Sequence, residues 1–393
     1  MRITKHNNID LHWWGQDLLL VRDVNEHYVL DEVEAFFLEH VCKINDVEQL
    51  VDAISQETGS DSETIMNFIE VFMKNFDEYF FYSNGDSVDP ITISGKKMAY
   101  YPLELHVSLT SRCFLKCKHC YKSASGTGID ICYDDLRAFL NRMCGFVPYL
   151  CISGGEPTLH SSFSAILNEY SSKYSICVLT SGVYTTNLLG TLSQADRGIV
   201  VSMYSSTPEI HDAFTGQKGS YSESLNTINK ALAMGIPVGV TTVLFEENSD
   251  RIQSFIDFFV DNGVDRITIG KISKVGRAKD NDVPIIATQS LSSQINGADR
   301  QKKVSVLIDE KHSSNDLPHS VFKCYAGALT WSINEYGQIQ PCGICSVDDL
   351  ALGNISQFDS TILYNRSQYI DKVKQLSLIK QMYAKGNSCP FND

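Results

Sequence analysis

The apolar positions of this chain change period along its length. From Leu18 to Leu30 they alternate and read as two short strands around the turn-forming Asp23-Val-Asn25. From Glu32 to Val41 and from Asp46 to Thr58 the spacing turns helical. A third helix is expected from Ser62 to about Asn75, with Ile65, Phe68, Val71 and Phe72 on one face. Tyr79–Tyr82 closes a further strand. Ser83–Gly95 is rich in turn residues and reads as a linker.

Beyond Leu103, strand-like and helix-like segments alternate. The strands are Leu103–Leu109, Tyr149–Ser153, Ile176–Thr180, Gly198–Met203, Val238–Leu244 and Ile267–Ile272; helical patterns such as Tyr133–Met143, Tyr221–Met234 and Arg251–Asn262 lie between them. Such alternation implies an α/β fold with a parallel sheet and crossover helices. Six repeats suit a partial (β/α)6 TIM-like barrel, and pattern alone leaves an open doubly wound sheet as the alternative. From about Ala278 the chain is less regular. Ser290–Gln301 reads as polar connection, Val304–Glu310 as a strand, and Trp331–Asn334 with Gln338–Pro341 as a hairpin. Three domains are expected: 1–95, 96–290 and 291–393.

Composition narrows the function. Of 393 residues 43% are hydrophobic and 20% charged, as in folded proteins with a core. A net charge of −14 argues against nucleic-acid binding, which rests on Lys and Arg neutralising phosphates. The start MRITKHNNID has no apolar core for a secretory signal. No apolar run approaches the roughly 20 residues of a membrane helix. A cytoplasmic protein without nucleic-acid or membrane partners is therefore expected. In a reducing compartment, clustered members of the twelve cysteines are metal ligands or catalytic thiols rather than disulfides.

Directly after the first barrel strand stands Ser111-Arg-Cys113-Phe-Leu-Lys-Cys117-Lys-His-Cys120-Tyr121. Three thiols on one loop converge readily, and soft thiolates favour zinc or iron–sulfur. Three ligands on a four-iron cluster leave one iron open, whereas structural zinc takes four protein ligands. In a barrel, chemistry gathers at the C-terminal strand ends, where this loop sits. The next strand ends in Ser153-Gly154-Gly155-Glu156-Pro157, where glycines permit close backbone approach and a carboxylate offsets an ammonium.

Cys113-x-x-x-Cys117-x-x-Cys120 followed by Gly154-Gly155-Glu156-Pro157 resembles the signature of the radical S-adenosylmethionine (SAM) superfamily. The resemblance implies SAM and a [4Fe-4S] cluster on Cys113, Cys117 and Cys120, with Gly154, Gly155, Glu156 and Pro157 at the SAM amino group. Thr180-Ser181-Gly182 is similar to the family's Thr-Asn-Gly, and Val201-Ser202-Met203-Tyr204 to its fourth strand end. That adds Ser181, and makes Ser202 a candidate for the SAM carboxylate. Thr215 stands where related enzymes often carry an arginine, so Lys271 and Arg277 are candidates for the missing charge; Tyr121 completes the expected cofactor set. Radical chemistry needs no general-base triad, and no catalytic acid or base is assigned.

The flanks point to a peptide substrate. A hairpin with three helices is winged-helix-like and resembles the precursor-recognition domain of peptide maturases, which binds a leader as an added strand; Leu18–Val21 or its neighbour offers the edge. Cys324, Cys342, Cys345 and Cys389 resemble the ligands of a SPASM/twitch auxiliary domain with one further [4Fe-4S] or [2Fe-2S] cluster. Zinc is the alternative for these four. Cys42, Cys132, Cys144, Cys151 and Cys177 read as buried small hydrophobes. The expected activity is maturation of a ribosomal precursor peptide, bound through its leader, by a Cys-sulfur to α-carbon thioether, with flavodoxin or ferredoxin as electron donor. Carbon–carbon crosslinking, epimerisation and sulfatase-type maturation are alternatives, and a non-catalytic peptide-binding metalloprotein is the alternative of another class.

Overall fold

The structure is a computed structural model that describes residues 1–7, 9–22, 26–85, 90–264, 266–284, 286, 305–308, 327, 329–343 and 351–365. The expected turn at Asp23–Asn25, the connection Ser290–Gln301, Val304 and both Asp309 and Glu310 lie outside them. The chain divides into two compact units.

The first unit runs from Met1 to Leu103 and takes in the turn Ser360–Tyr364. Its strands are β1 (Arg2–Lys5), β2 (Ile9–Trp14), β3 (Asp17–Arg22), β4 (Glu26–Val29), β5 (Phe80–Ser83) and β6 (Ile93–Gly95). Its helices are α1 (Glu32–Val41), α2 (Val47–Thr58) and α3 (Ser62–Asn75). Each helix starts on an aspartate, Asp31, Asp46 or Asp61, whose carboxylate accepts backbone N–H groups of the first turn; Asp31 and Glu34 form a full capping box. Ile65, Ile69, Phe72 and Met73 make the buried face of α3, and Val71, six residues on from Ile65, points away and is 57% exposed. The hairpin and three helices stand as expected, with more strands around them. Sheet order is β4-β3-β2-β6, and β1 pairs separately with β5. Two expectations change. Leu18–Val21, in β3, is paired on both sides and offers no edge; its neighbour β4 is the edge strand. The linker Ser83–Gly95 ends in β6, which pairs parallel with β2.

The second unit carries strands β7 (Glu104–Ser108), β8 (Tyr149–Ser153), β9 (Ser175–Thr180), β10 (Ile199–Ser202), β11 (Val238–Val243) and β12 (Arg266–Gly270). Helices α4 (Tyr133–Met143), α5 (Phe163–Tyr170), α6 (Leu189–Leu192), α7 (Pro208–Thr215), α8 (Ser220–Ala233), α9 (Glu246–Ser249) and α10 (Ile252–Asp261) fill the crossovers, and α11 (Arg277–Asp280) follows the last strand. All six strands pair in parallel in chain order, which is the expected partial barrel. Apolar side chains such as Leu105, Leu150, Ile176, Val201, Val240 and Ile267 are buried throughout, as covered parallel sheets require.

The sheet extends at both ends. β13 (Ser305–Ile308) pairs with β12, while β14 (Thr330–Ile333) runs parallel to β7 and turns antiparallel into β15 (Gln338–Gln340) and β16 (Gly353–Asn354). The C-terminal hairpin therefore continues the barrel sheet, and its buried Trp331 lies under β7 and Phe358.

Candidate functional site

The site is built at the C-terminal ends of the parallel strands. Between Ser108 and Tyr133 the chain forms a long loop carrying Cys113, Cys117 and Cys120, and backbone bonds lock its shape. Ser111 N–H donates to Ile129 O, Cys113 N–H to Ser125 O and Cys120 N–H to Cys117 O. Neighbouring elements hold it from outside: Lys116 N–H donates to Thr215 O at 2.9 Å and Lys118 N–H to Phe214 O at 3.0 Å.

The glycines of the second strand end bear on this loop directly. Gly155 N–H donates to Thr110 O and Glu156 N–H to Arg112 O, both at 2.7 Å. A Cβ on Gly155 would stand 2.3 Å from the Arg112 carbonyl oxygen, and one on Gly154 2.7 Å from that of Thr110. Glycine is therefore required here for close packing against the cysteine loop, in addition to any approach by a ligand. Pro157 begins the short 3-10 turn that follows.

Glu156 is fully buried. Its carboxylate accepts from Thr180 Oγ1 at 2.8 Å, Ser181 N–H at 2.8 Å, Ser181 Oγ at 2.6 Å and Thr158 Oγ1 at 2.8 Å. The second and third strand ends are thus tied through one carboxylate, which Ser181 meets with both its N–H and its hydroxyl. A buried charge needs such partners.

Arg277 sits at the start of α11 but reaches back over the cysteine loop. Its Nε donates to Cys117 O at 2.9 Å, its Nη1 to Ala124 O at 2.6 Å, and its own N–H to Cys120 O at 3.0 Å. The contacts that this side chain makes are to the loop, so its observed part is to clamp the loop and set a positive charge beside the thiols. Thr215, where a charge was missed, is buried in the turn between α7 and α8: its hydroxyl donates to Asp212 O and meets Ser220 Oγ, and its carbonyl holds Lys116. Lys271 follows the last residue of β12, half-buried, and makes no ion pair among the described residues.

The three thiols share one apolar nest with Leu115, Val183, Tyr204, Phe214, Phe245 and Ile272. Burial pushes the Cys113 thiol up to about 11, with Glu156 and Cys120 adding to it; burial and then Cys113 and Cys120 take Cys117 to about 12. Burial is the larger cause in both, and the other thiols of the loop add to it. A cation among them reverses the balance and makes them thiolates. Among the described residues no three His, Cys, Asp or Glu side chains gather closely enough to share a single ion. Three soft thiols in one buried nest suit an iron–sulfur cluster better than structural zinc, which takes four protein ligands.

Tyr204, for which the sequence suggested no role, bridges the site: its buried ring stands edge-on to His119, and its hydroxyl lies near Cys117 and near Ser202 at the end of β10. His119 stacks on Phe214 with ring centroids 5.0 Å apart and stands edge-on to Tyr204; burial, and then Arg277, lower its pKa to about 4, so it is neutral. The strand-end match that contains Tyr204 drew attention only to Ser202, because Cys117 lies three strands earlier in the chain.

Tyr121, expected in the cofactor set, stands near the ends of β7 and β8. It turns toward the C-terminal hairpin, lining a cavity with His106, Lys122, Ser153, Ser332 and Gly343 beside Cys342, where Lys122 and Glu335 pair at 2.6 Å. Cys342 is half-buried; Cys324, Cys345 and Cys389 lie outside the described residues. Cys151 and Cys177 are buried side by side on adjacent strands, as expected. Cys42 and Cys144 are half-buried, and Cys132 is exposed rather than buried because it stands at the N-cap of α4.

Residues 107–259, from β7 through α10, match the radical SAM superfamily. The chain carries a radical SAM domain. A domain of this family implies SAM and a [4Fe-4S] cluster, for which the buried thiol nest offers three soft donors. Among curated relatives, this radical SAM chain is 27% identical over 321 residues to the antilisterial bacteriocin subtilosin biosynthesis protein AlbA of Bacillus subtilis, covering 79% of this chain and 70% of that protein. It is 27% identical over 281 residues to the sporulation killing factor maturation protein SkfB of the same species, covering 68% and 65%. The fold is that of Streptococcus suis SuiB, solved with S-adenosylmethionine bound: TM-score 0.66 at 18% identity, covering 93% of this chain and 90% of that one.

Proposed function

We propose that this enzyme matures a ribosomally made precursor peptide in the cytoplasm, joining a cysteine sulfur to an α-carbon as a thioether. The observation that carries the reading is the thiol nest of Cys113, Cys117 and Cys120, locked against Gly154–Glu156 at adjacent strand ends of a parallel barrel. The peptide class is supported by the two curated relatives, one of subtilosin biosynthesis and one of sporulation killing factor maturation. It is supported further by the like fold of SuiB, also solved with its precursor peptide SuiA bound. The nine described cysteines all carry free thiols, which suits a reducing compartment.

When bound, SAM and the cluster supply a 5′-deoxyadenosyl radical that removes a hydrogen atom from an unactivated carbon. The chain's own residues prepare for this. The thiolates of Cys113, Cys117 and Cys120 would hold the cluster, and Arg277 fixes the loop that presents them. Gly154–Pro157, Ser181 and Ser202 line the strand ends on which SAM would lie. Lys271, half-buried after β12 and in no ion pair among the described residues, would be the cation for its carboxylate. Leu115, Val183, Phe214 and Phe245 exclude water, which protects a radical from quenching. Cys324, Cys342, Cys345 and Cys389 would hold one auxiliary cluster, and an acidic flavodoxin or ferredoxin would supply the electron. The first unit would take the leader along β4.

Two measurements test the reading. Anaerobic reconstitution with reductant should release 5′-deoxyadenosine; none from a fully loaded protein sinks the enzyme reading. Mass spectrometry of a co-produced precursor should show loss of two hydrogens per bond, with fragmentation assigning sulfur to an α-carbon. Unchanged mass with solvent deuterium at an α-carbon replaces it with epimerisation, and a bond mapped between carbons replaces it with carbon–carbon crosslinking.

A further inference from the structure

The chain carries 47 acidic against 33 basic side chains, yet the rim outside the thiol loop is cationic. Lys116 and Lys118 flank Cys117 in sequence and are both exposed, while Cys117 itself is buried. The segments touching them bring two more lysines. Thr215 O receives Lys116 N–H, and a Cβ on Gly216 would stand 3.1 Å from Lys116 O, which sets exposed Lys218 beside this stretch. Asn281 Nδ2 donates to Lys118 O at 2.9 Å, and α11 immediately before it carries exposed Lys279. None of the four lysines makes an ion pair among the described residues. The nearby carboxylates are largely committed: Asp212 accepts from Gly219, Ser220 and Tyr221, and Asp282 pairs with Lys274, leaving exposed Asp280.

Unpaired cations on an acidic protein attract an acidic partner and repel nothing of their own sign nearby. Their position decides which partner. They surround the loop that separates the thiols from solvent, and electron transfer falls steeply with distance, so a donor gains most by docking here. We propose that Lys116, Lys118, Lys218 and Lys279 form the docking surface for an acidic one-electron carrier protein. One electron passes from the carrier's reduced flavin or iron–sulfur centre to the cluster held by Cys113, Cys117 and Cys120. This rests on the cluster assignment above and is independent of the peptide substrate.

The test uses the full reconstituted chain, without peptide, and a purified flavodoxin in its fully reduced form. Stopped-flow absorbance follows cluster reduction by flavodoxin and, separately, by dithionite. Reduction by flavodoxin should slow markedly between 50 and 300 mM salt. Replacing all four lysines by glutamine should slow it by roughly 10- to 100-fold at low salt and flatten the salt dependence. Reduction by dithionite should change less than twofold. Lys218→Gln with Lys279→Gln, both off the cysteine loop, keeps the test valid should the fourfold variant bind less iron, and should give an intermediate loss. Equal flavodoxin rates and salt dependence in all three proteins overturn the proposal. So does unchanged reduction with a loss of precursor affinity, which would assign the rim to an acidic peptide. Failure to crosslink any precursor would leave these rates untouched.

Discussion

At the scale of single residues, the site is held by groups that join elements distant in sequence. Tyr204 is the clearest: it reaches Cys117 from the fourth strand end, where the sequence drew attention only to Ser202. A hydrogen bond to a ligating sulfur stabilises the more negative, reduced state of a cluster. Tyr204→Phe should therefore lower the cluster's reduction potential by roughly 20–60 mV, the electrical equivalent of one such bond, with iron content unchanged. An EPR-monitored redox titration reads it, and an unshifted potential removes Tyr204 from the site. His12 shows the same economy in the first unit. Its Nδ1 is 2.8 Å from Ser94 Oγ and its Nε2 2.9 Å from Tyr101 O, and burial lowers its pKa to about 4. The unfolded chain binds this proton near pH 6.5 and the folded chain does not, so stability rises with pH between about 4 and 6.5. Acidification from pH 8 to 5 should cost about 2 kcal/mol through His12 alone, and His12→Gln should flatten the urea-unfolding profile by that amount.

At the scale of elements, the barrel was legible because parallel strands buried on both faces write continuous apolar runs of fixed spacing. All six expected strands stand within two residues of their observed ends. The cysteine loop and the Gly-Gly-Glu-Pro turn were legible because each is local in sequence. What the two do to each other was not. The glycines read as room for a ligand, and the structure gives them a second burden in the carbonyls of Thr110 and Arg112. Likewise β6 hid in a turn-rich stretch, since its pairing among the described residues is with β2, about eighty residues earlier in the chain. The Gly155 contact is testable. Its neighbour at 2.3 Å is backbone and cannot swing aside, so Gly155→Ala should cost about 1–3 kcal/mol and shift the cysteine loop. Gly190→Ala, in α6 with nothing within 4 Å of the added carbon, should be neutral or slightly stabilising. Thermal unfolding and iron loading of the two variants separate them, and equal behaviour would show that the loop yields freely.

At the scale of the molecule, two units with separate cores allow recognition and chemistry to be broken independently. β4 borders the sheet of the first unit and pairs only with β3. Leu30 N–H donates to Leu18 O, which makes Leu18 and Leu30 a hydrogen-bonded pair of the ladder. Antiparallel pairs alternate, so Leu19 and Val29 form the next, non-bonded pair, and the Val29 N–H points off the sheet edge. A leader adding itself as a strand needs that donor. Val29→Pro removes it at an edge position where proline leaves the internal ladder intact. Precursor affinity, measured by fluorescence anisotropy of a labelled leader, should fall at least tenfold. Thermal stability should move by less than about 1 kcal/mol, because no paired N–H is lost. SAM cleavage without peptide should continue at the parent rate, since the thiol nest lies wholly in the second unit. Undiminished affinity would place the leader elsewhere, and lost SAM cleavage would mean that the two units act as one.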